Sequence, residues 1–148
     1  MKKNSIDLLE IAIGIAVEAH KGQIDKAGEP YILHPLHIMS RFDELDLKIV
    51  SILHDVFEDT SYPIESLGKQ GFPTHLIDAL NALTHLKNET YEDYLIRVKS
   101  NEIALSVKME DIMHNLNITR IRKGSNNRAT IIRLVNKYLD ALEFLEQA

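Results

Sequence analysis

The chain has 148 residues, 45% of them hydrophobic, no cysteine and a formal net charge of −5. That length suits one globular domain, read as residues 1–148, burying about two-thirds of its unfolded surface. Without cysteine there is neither a disulfide frame nor a thiolate metal site, and the acidic balance argues against a nucleic-acid surface, which needs a broad basic footprint.

Any metal would therefore be held by His, Asp, Glu or Asn. The apolar residues after Asp7 are interrupted by Glu10 and Glu18, a pattern of neither a signal peptide nor a membrane span, so a cytoplasmic location is the default expectation.

Periodicity makes nearly everything helical. Ile6, Leu9, Ile13, Ala16 and His20 keep a three-four spacing, with Asn4 or Ser5 as N-cap and Gly22 as the stop. Residues 23–34 read as a loop, punctuated by Gly28 and Pro30, and a short helix is expected from Pro35 towards Asp43. The X-Pro step is expected to hold His34 outside that helix, at its entrance. Then comes one buried helix over 45–60, stopped by Thr60, Ser61 and Pro63. Further helices are expected over 64–69, 73–83, 91–98 and 103 to about 121, and a last one carries Ile131, Val135, Tyr138, Leu142 and Leu145. No strand, repeat or low-complexity segment stands out, so the expected fold is all-α, with about seven or eight helices.

The stretch over 45–60 is the organising one. Leu45, Ile49, Ile52, Leu53 and Val56 recur at helical spacing, and Leu47, Val50 and Phe57 widen the apolar arc. Its one polar stripe carries Lys48, Ser51, Asp55, Glu58 and Asp59, with His54 beside Asp55. As a single helix it would end on three carboxylates, where the dipole is already negative and like charges repel. A bound cation would remove that conflict. The bland account is a solvated face with a packed histidine; against it, His54 and Asp55 offer the mixed nitrogen and oxygen ligands that suit Zn, Mn or Fe.

Further ligands must come from elsewhere. His34 is a candidate third, with His37 a competitor that reads better as a core or surface histidine, and His20 as a packed or supporting residue. Asp111 is the candidate fourth, because Val107, Met109, Ile112, Met113 and Leu116 leave its helix little solvent and a buried aspartate needs a cationic partner. A salt bridge from Lys108 would also satisfy it. Positive charge gathers at Arg120, Arg122, Lys123 and Arg128, a run that a solvated basic loop would explain equally well.

Gly22-Gln23, then Gly28-Glu29-Pro30-Tyr31-Ile32-Leu33-His34-Pro35, His54-Asp55-Val56-Phe57-Glu58-Asp59-Thr60, and Val107-Lys108-Met109-Glu110-Asp111 with His114-Asn115 resemble the successive motifs of the HD-domain hydrolases. More narrowly they resemble the hydrolase domain of RelA/SpoT proteins and the small stand-alone alarmone hydrolases, over about residues 11–120. The resemblance implies an all-helical HD fold with one divalent ion, usually manganese, on His34, His54, Asp55 and Asp111. It also implies removal of pyrophosphate from the 3′ position of guanosine tetra- or pentaphosphate (ppGpp or pppGpp), with Glu58 and Asp59 as the catalytic acids and Asn115 contacting the nucleotide. Tyr31, Lys26, Lys108 and the basic run with Arg128 are the remaining candidates for holding a phosphorylated substrate. Two positions depart from the pattern: Asp25 stands where an arginine usually stacks on guanine, and Asn117 where another arginine usually follows the asparagine. A phosphohydrolase for another nucleotide or phosphorylated metabolite is therefore the second expectation. A metal-stabilised nucleotide sensor without turnover is the third, against which Glu58 and Asp59 count. Neither nucleic acid nor a membrane is expected as a partner.

Overall fold

The computed structural model describes residues 3–147, and among these there is no strand, only an isolated antiparallel bridge between Ile24 and Pro30. The helices are α1 (Ser5–Ala19), α2 (Leu33–Met39), α3 (Leu45–Leu53), α4 (Val56–Asp59), α5 (Ser66–Lys69), α6 (Thr74–Leu83), α7 (Tyr91–Lys99), α8 (Glu102–Asn115), α9 (Ile118–Gly124) and α10 (Arg128–Glu146).

Helix α3 is the hub. It packs against α1, α2, α6 and α8, so Ile49, Val50, Ile52 and Leu53 are all sealed from solvent. Full burial of an aliphatic side chain stabilises by about 1.5–3 kcal/mol, which makes this segment the anchor for whatever follows it. Helix α8 lies across α3, α6 and α7 and burdens its core side with Ala104, Val107 and Ile112. Helix α10 closes the bundle over α7 and α8.

Three boundaries differ from the sequence expectations, and each bears on function. The expected helix over 45–60 is broken at His54–Asp55: α3 stops at Leu53 and the single-turn α4 begins at Val56. Glu58 and Asp59 therefore sit in the one turn of α4 instead of at the negative end of a long helix, and the expected dipole conflict largely dissolves. His34 lies inside the first turn of α2, not before it. Pro35 is tolerated there because the first turn's N–H groups have no intrahelical partner to lose. The expected helix over 103–121 is two helices, split where the Asn117 side chain accepts the backbone N–H groups of Thr119 and Arg120 and caps α9. Among the described residues no helix is long and apolar enough to cross a membrane.

Candidate metal centre and active-site cleft

The break after α3 turns His54 and Asp55 towards α2 and α8. His34 Nε2 lies 2.9 Å from Asp111 Oδ1 and 3.7 Å from Asp55 Oδ2, while His54 Nε2 lies 2.9 Å from Asp55 Oδ2 and 3.7 Å from Asp111 Oδ1. Four ligand atoms thus form a closed quadrilateral. Atoms bound to one ion at about 2.0–2.2 Å stand about 3.0–3.5 Å from each other, which these sides bracket. The ligand atoms of His34, His54 and Asp111 all lie within 4.8 Å of one another, and all three residues are buried.

The chemistry of the set also fits a cation. His54 Nδ1 faces the Ser51 carbonyl oxygen at 2.6 Å, so it carries the proton and donates. Its Nε2 is then a lone pair pointed at carboxylates, sealed from water and without a hydrogen bond. A lone pair held against an anion is tolerable only if a proton or a metal lies between them. Without metal, burial pushes the His54 pKa down, but the charges of and bonds to Asp55 and Asp111 outweigh it and raise it well above the usual histidine value. Conversely, burial would raise the Asp55 carboxyl, yet His54 holds it down at about 2. Asp111 follows the same pattern: burial opposes ionisation, and Lys108, foremost, with the two histidines, holds its pKa well below the carboxylate range.

Around the centre lies a cleft of about 760 Å³, within the range of small-molecule sites. One wall is acidic. Glu58 is exposed to the cleft, where loss of solvation first, then the charges of Asp55 and Asp59, raise its pKa against the lowering effect of the His85 N–H, 3.3 Å away. Asp59 is raised by burial and by Asp55. The Tyr31 hydroxyl donates to both Asp55 and Asp59, tying the wall to the centre. The same cleft is also lined by a basic set, Lys26, Lys108, Arg120 and Lys137. Lys108 Nζ is 2.8 Å from Asp111 Oδ2 and lies over the Tyr94 ring. Burial lowers the Lys137 pKa, and the charges of Lys108, Lys26 and Arg133 lower it further.

Arg120 opens a side pocket of about 200 Å³ between loop 23–30, α9 and α10, which shares Asp25, Lys26, Asn115, Arg120 and Tyr138 with the main cleft. Asp25 accepts the N–H groups of Ala27 and Glu29 and pairs with Arg120 at 3.3 Å. The two departures from the family pattern thus have local tasks: Asp25 shapes its loop and holds a guanidinium, and Asn117 caps a helix.

Of the residues singled out from sequence, His34, His54, Asp55 and Asp111 meet at the centre, and Lys26, Tyr31, Glu58, Asp59, Lys108 and Asn115 line the cleft. Arg128 does not join them. It is exposed in the first turn of α10, while Arg133 and Lys137, about one and a half and two and a half turns further along, face the side pocket and the cleft. His20 is buried away from the centre, 2.7 Å from Gln23 Oε1 and packed on the Tyr31 ring. His37 is exposed, its ring stacked on His114 at 4.0 Å. Burial, then Arg120, His34 and His37, push the His114 pKa down to about 3. Arg133, Lys137 and the part played by His114 escape sequence reasoning. Only the helical spacing of Arg133 and Lys137 (i, i+4) and the His114-Asn115 pair could have signalled them.

No family model matches the chain. It is 32% identical over 116 residues to the guanosine-3′,5′-bis(diphosphate) 3′-pyrophosphohydrolase of Haemophilus influenzae, covering 69% of this chain and 17% of that protein. It is 32% identical over 121 residues to the protein of the same name from Borreliella burgdorferi, covering 71% of this chain and 18% of that one. With a GTP pyrophosphokinase of Streptomyces coelicolor it shares 29% over 135 residues, 83% of this chain and 16% of the relative. The chain therefore spans about a sixth of the length of these curated relatives. Among solved structures it matches a metazoan ortholog of SpoT, described as hydrolysing ppGpp, with a TM-score of 0.64 at 18% identity over 94% of this chain and 96% of that one, a likeness of fold. In sequence the chain thus resembles part of the SpoT-type pyrophosphohydrolases, and in fold it resembles a SpoT ortholog, as its HD-like motifs led one to expect.

Proposed function

We propose that this domain is a metal-dependent pyrophosphohydrolase that converts ppGpp and water to GDP and pyrophosphate. The observation that carries the reading is a single cleft that holds a four-atom cation site together with both acidic and basic side chains. His34, His54, Asp55 and Asp111 would hold the ion, with manganese the proposed occupant. Such an ion supplies Lewis acidity towards a phosphoryl oxygen and lowers the pKa of a water.

The chain's own groups supply the rest. In the reaction an oxygen of water joins the phosphorus next to the ribose, and the bond from that phosphorus to O3′ breaks. A proton leaves the water and another reaches O3′. Glu58 and Asp59, each with its pKa raised above the ordinary carboxyl value by loss of solvation and by Asp55, are the groups suited to that transfer. Tyr31 holds the Asp59 carboxylate in place and leaves Glu58 free of any side-chain donor. Lys26, Lys108 and Lys137 offset phosphate charge, and Asn115 and Arg120 lie where the nucleoside would extend into the side pocket. There Arg120, anchored by Asp25, offers a flat cation from α9 in place of the arginine that the loop lacks.

That rearranged pocket also favours a second reading, a phosphohydrolase with the same centre and another base. Incubating the manganese-loaded protein with ppGpp, its adenine counterpart and other nucleoside bisphosphates separates the two. Pyrophosphate released with GDP from ppGpp supports the first; cleavage of other nucleotides with ppGpp intact overturns it.

A further inference from the structure

The nitrogen that His34 does not turn to the centre has an unusual partner. His34 Nδ1 lies 2.7 Å from Nδ1 of His114, and the two rings are within 13° of parallel with centroids 5.0 Å apart. Rings stacked face to face could not bring two nitrogens so close, so the rings meet edge to edge in nearly one plane, the geometry of an N–H···N hydrogen bond. Which nitrogen carries the proton is settled by a third residue. Arg120 Nη1 reaches the same His114 Nδ1 at 3.0 Å, and also the His114 carbonyl oxygen at 3.2 Å. A guanidinium only donates. His114 Nδ1 is therefore an acceptor, shared by Arg120 and His34, and the proton of the imidazole pair belongs to His34 Nδ1. That leaves His34 Nε2 as the lone pair directed at the centre, as Ser51 does for His54.

We propose that His114 is a positioning residue that fixes the tautomer and ring angle of the His34 ligand, and that Arg120 locks His114 in the accepting state. This rests on the reading of His34 as a metal ligand. Partners of this kind usually are carbonyls or carboxylates, and losing one costs 10–100-fold in metal affinity. A neutral imidazole has the disadvantage that it could flip its own tautomer and offer a proton instead. The Arg120 donor removes that option, and the His37 ring stacked on the face of His114 restrains its rotation. Because Arg120 also borders the cleft and pairs with Asp25, the loop at 23–30 and the metal centre become mechanically connected through one guanidinium and two imidazoles.

The test uses nitrogen-15 NMR on the zinc-loaded, otherwise unmodified protein. The expected result is a scalar coupling across the hydrogen bond between His34 Nδ1 and His114 Nδ1, with the His114 proton on Nε2. A His114 protonated on Nδ1, or no coupling in a protein whose His34 binds zinc, overturns the proposal. In parallel, manganese affinity is measured by electron paramagnetic resonance for the parent, His114→Phe and Arg120→Ala. Affinity should drop 10–100-fold in His114→Phe, by less in Arg120→Ala, with the metal-free fold retained by circular dichroism. Unchanged affinity in His114→Phe refutes the positioning role alone, whereas a parent that binds no metal refutes the ligand assignment beneath it.

Discussion

Lys108 offers the most discriminating perturbation of the centre, because its removal should weaken the protein and tighten its grip on metal together. The ammonium is mostly buried and lies 2.8 Å from Asp111 Oδ2, while Oδ1 of the same carboxylate receives Asn115 Nδ2 at 3.2 Å. In Lys108→Met the aliphatic stem is kept and the charge is lost. Two unit charges about 4 Å apart at an effective dielectric of about 20 attract by about 4 kcal/mol, and breaking one side of a buried pair costs about 3–5 kcal/mol. For a chain of this size about 4 kcal/mol corresponds to a fall in Tm of about 8–16 °C in the metal-free protein. A divalent ion beside Asp111 would restore part of the lost pairing. If it recovers about 2 kcal/mol, thermodynamic linkage requires metal affinity to rise roughly thirtyfold. Thermal unfolding with chelator and with manganese, and titration calorimetry with manganese, read both effects at one pH. A variant as stable as the parent without metal, or one that binds metal more weakly, would show that Lys108 and the ion do not share Asp111.

Other outcomes follow from the same geometry. Asp55→Ala should lose metal and turnover together, whereas Glu58→Ala should keep full metal occupancy and lose turnover by about 10²–10⁴-fold; metal analysis beside a pyrophosphate assay distinguishes them, and full turnover in Glu58→Ala would remove its proton-transfer role. Tyr31→Phe deletes a hydroxyl that donates to Asp55 and Asp59, a loss of about 1.5–3 kcal/mol for bonds to charged groups, so kcat should fall roughly tenfold to a hundredfold with KM little changed. Glu89 is paired with Arg97, which also binds the carbonyls of Asn81 and Thr84 and so pins the loop that presents His85 to Glu58. The Arg97 bond, foremost, holds the Glu89 pKa down at about 2. A depressed carboxylate stabilises above its ordinary pKa and loses that contribution as pH falls from about 4.5 through about 2. Glu89→Gln should therefore lower Tm at pH 6, with the gap to the parent narrowing towards pH 3; a constant gap would assign the effect to packing.

Helix positions were legible because apolar spacing decides which face is buried, and Leu8, Ile49, Leu80, Val107 and Leu145 are all core residues at helical registers. The breaks were not. Val56 and Phe57 continue the apolar pattern past His54–Asp55, and Ile118 and Ile121 continue it past Asn117, so periodicity alone runs through both. Asn117 was legible as a missing arginine and not as a cap, although Asn is a favoured cap residue; propensity does not say which of two tasks a residue serves. His34, His54, Asp55 and Asp111 could be named from ligand chemistry and resemblance, but their distances depend on how α2 and α8 pack on α3. The basic set depended on tertiary structure most of all. Arg128 belongs to the run of charge visible in sequence, yet it is the phase of α10 that puts Arg133 at the side pocket and Lys137 at the cleft instead.

Everything turns on whether four side chains from three regions of the chain share one cation. Anomalous diffraction from crystals grown with manganese answers this directly. A single strong peak within about 2.0–2.4 Å of His34 Nε2, His54 Nε2 and oxygens of Asp55 and Asp111 is the predicted result; a peak elsewhere, or one that leaves His34 or Asp111 beyond bonding distance, contradicts the account.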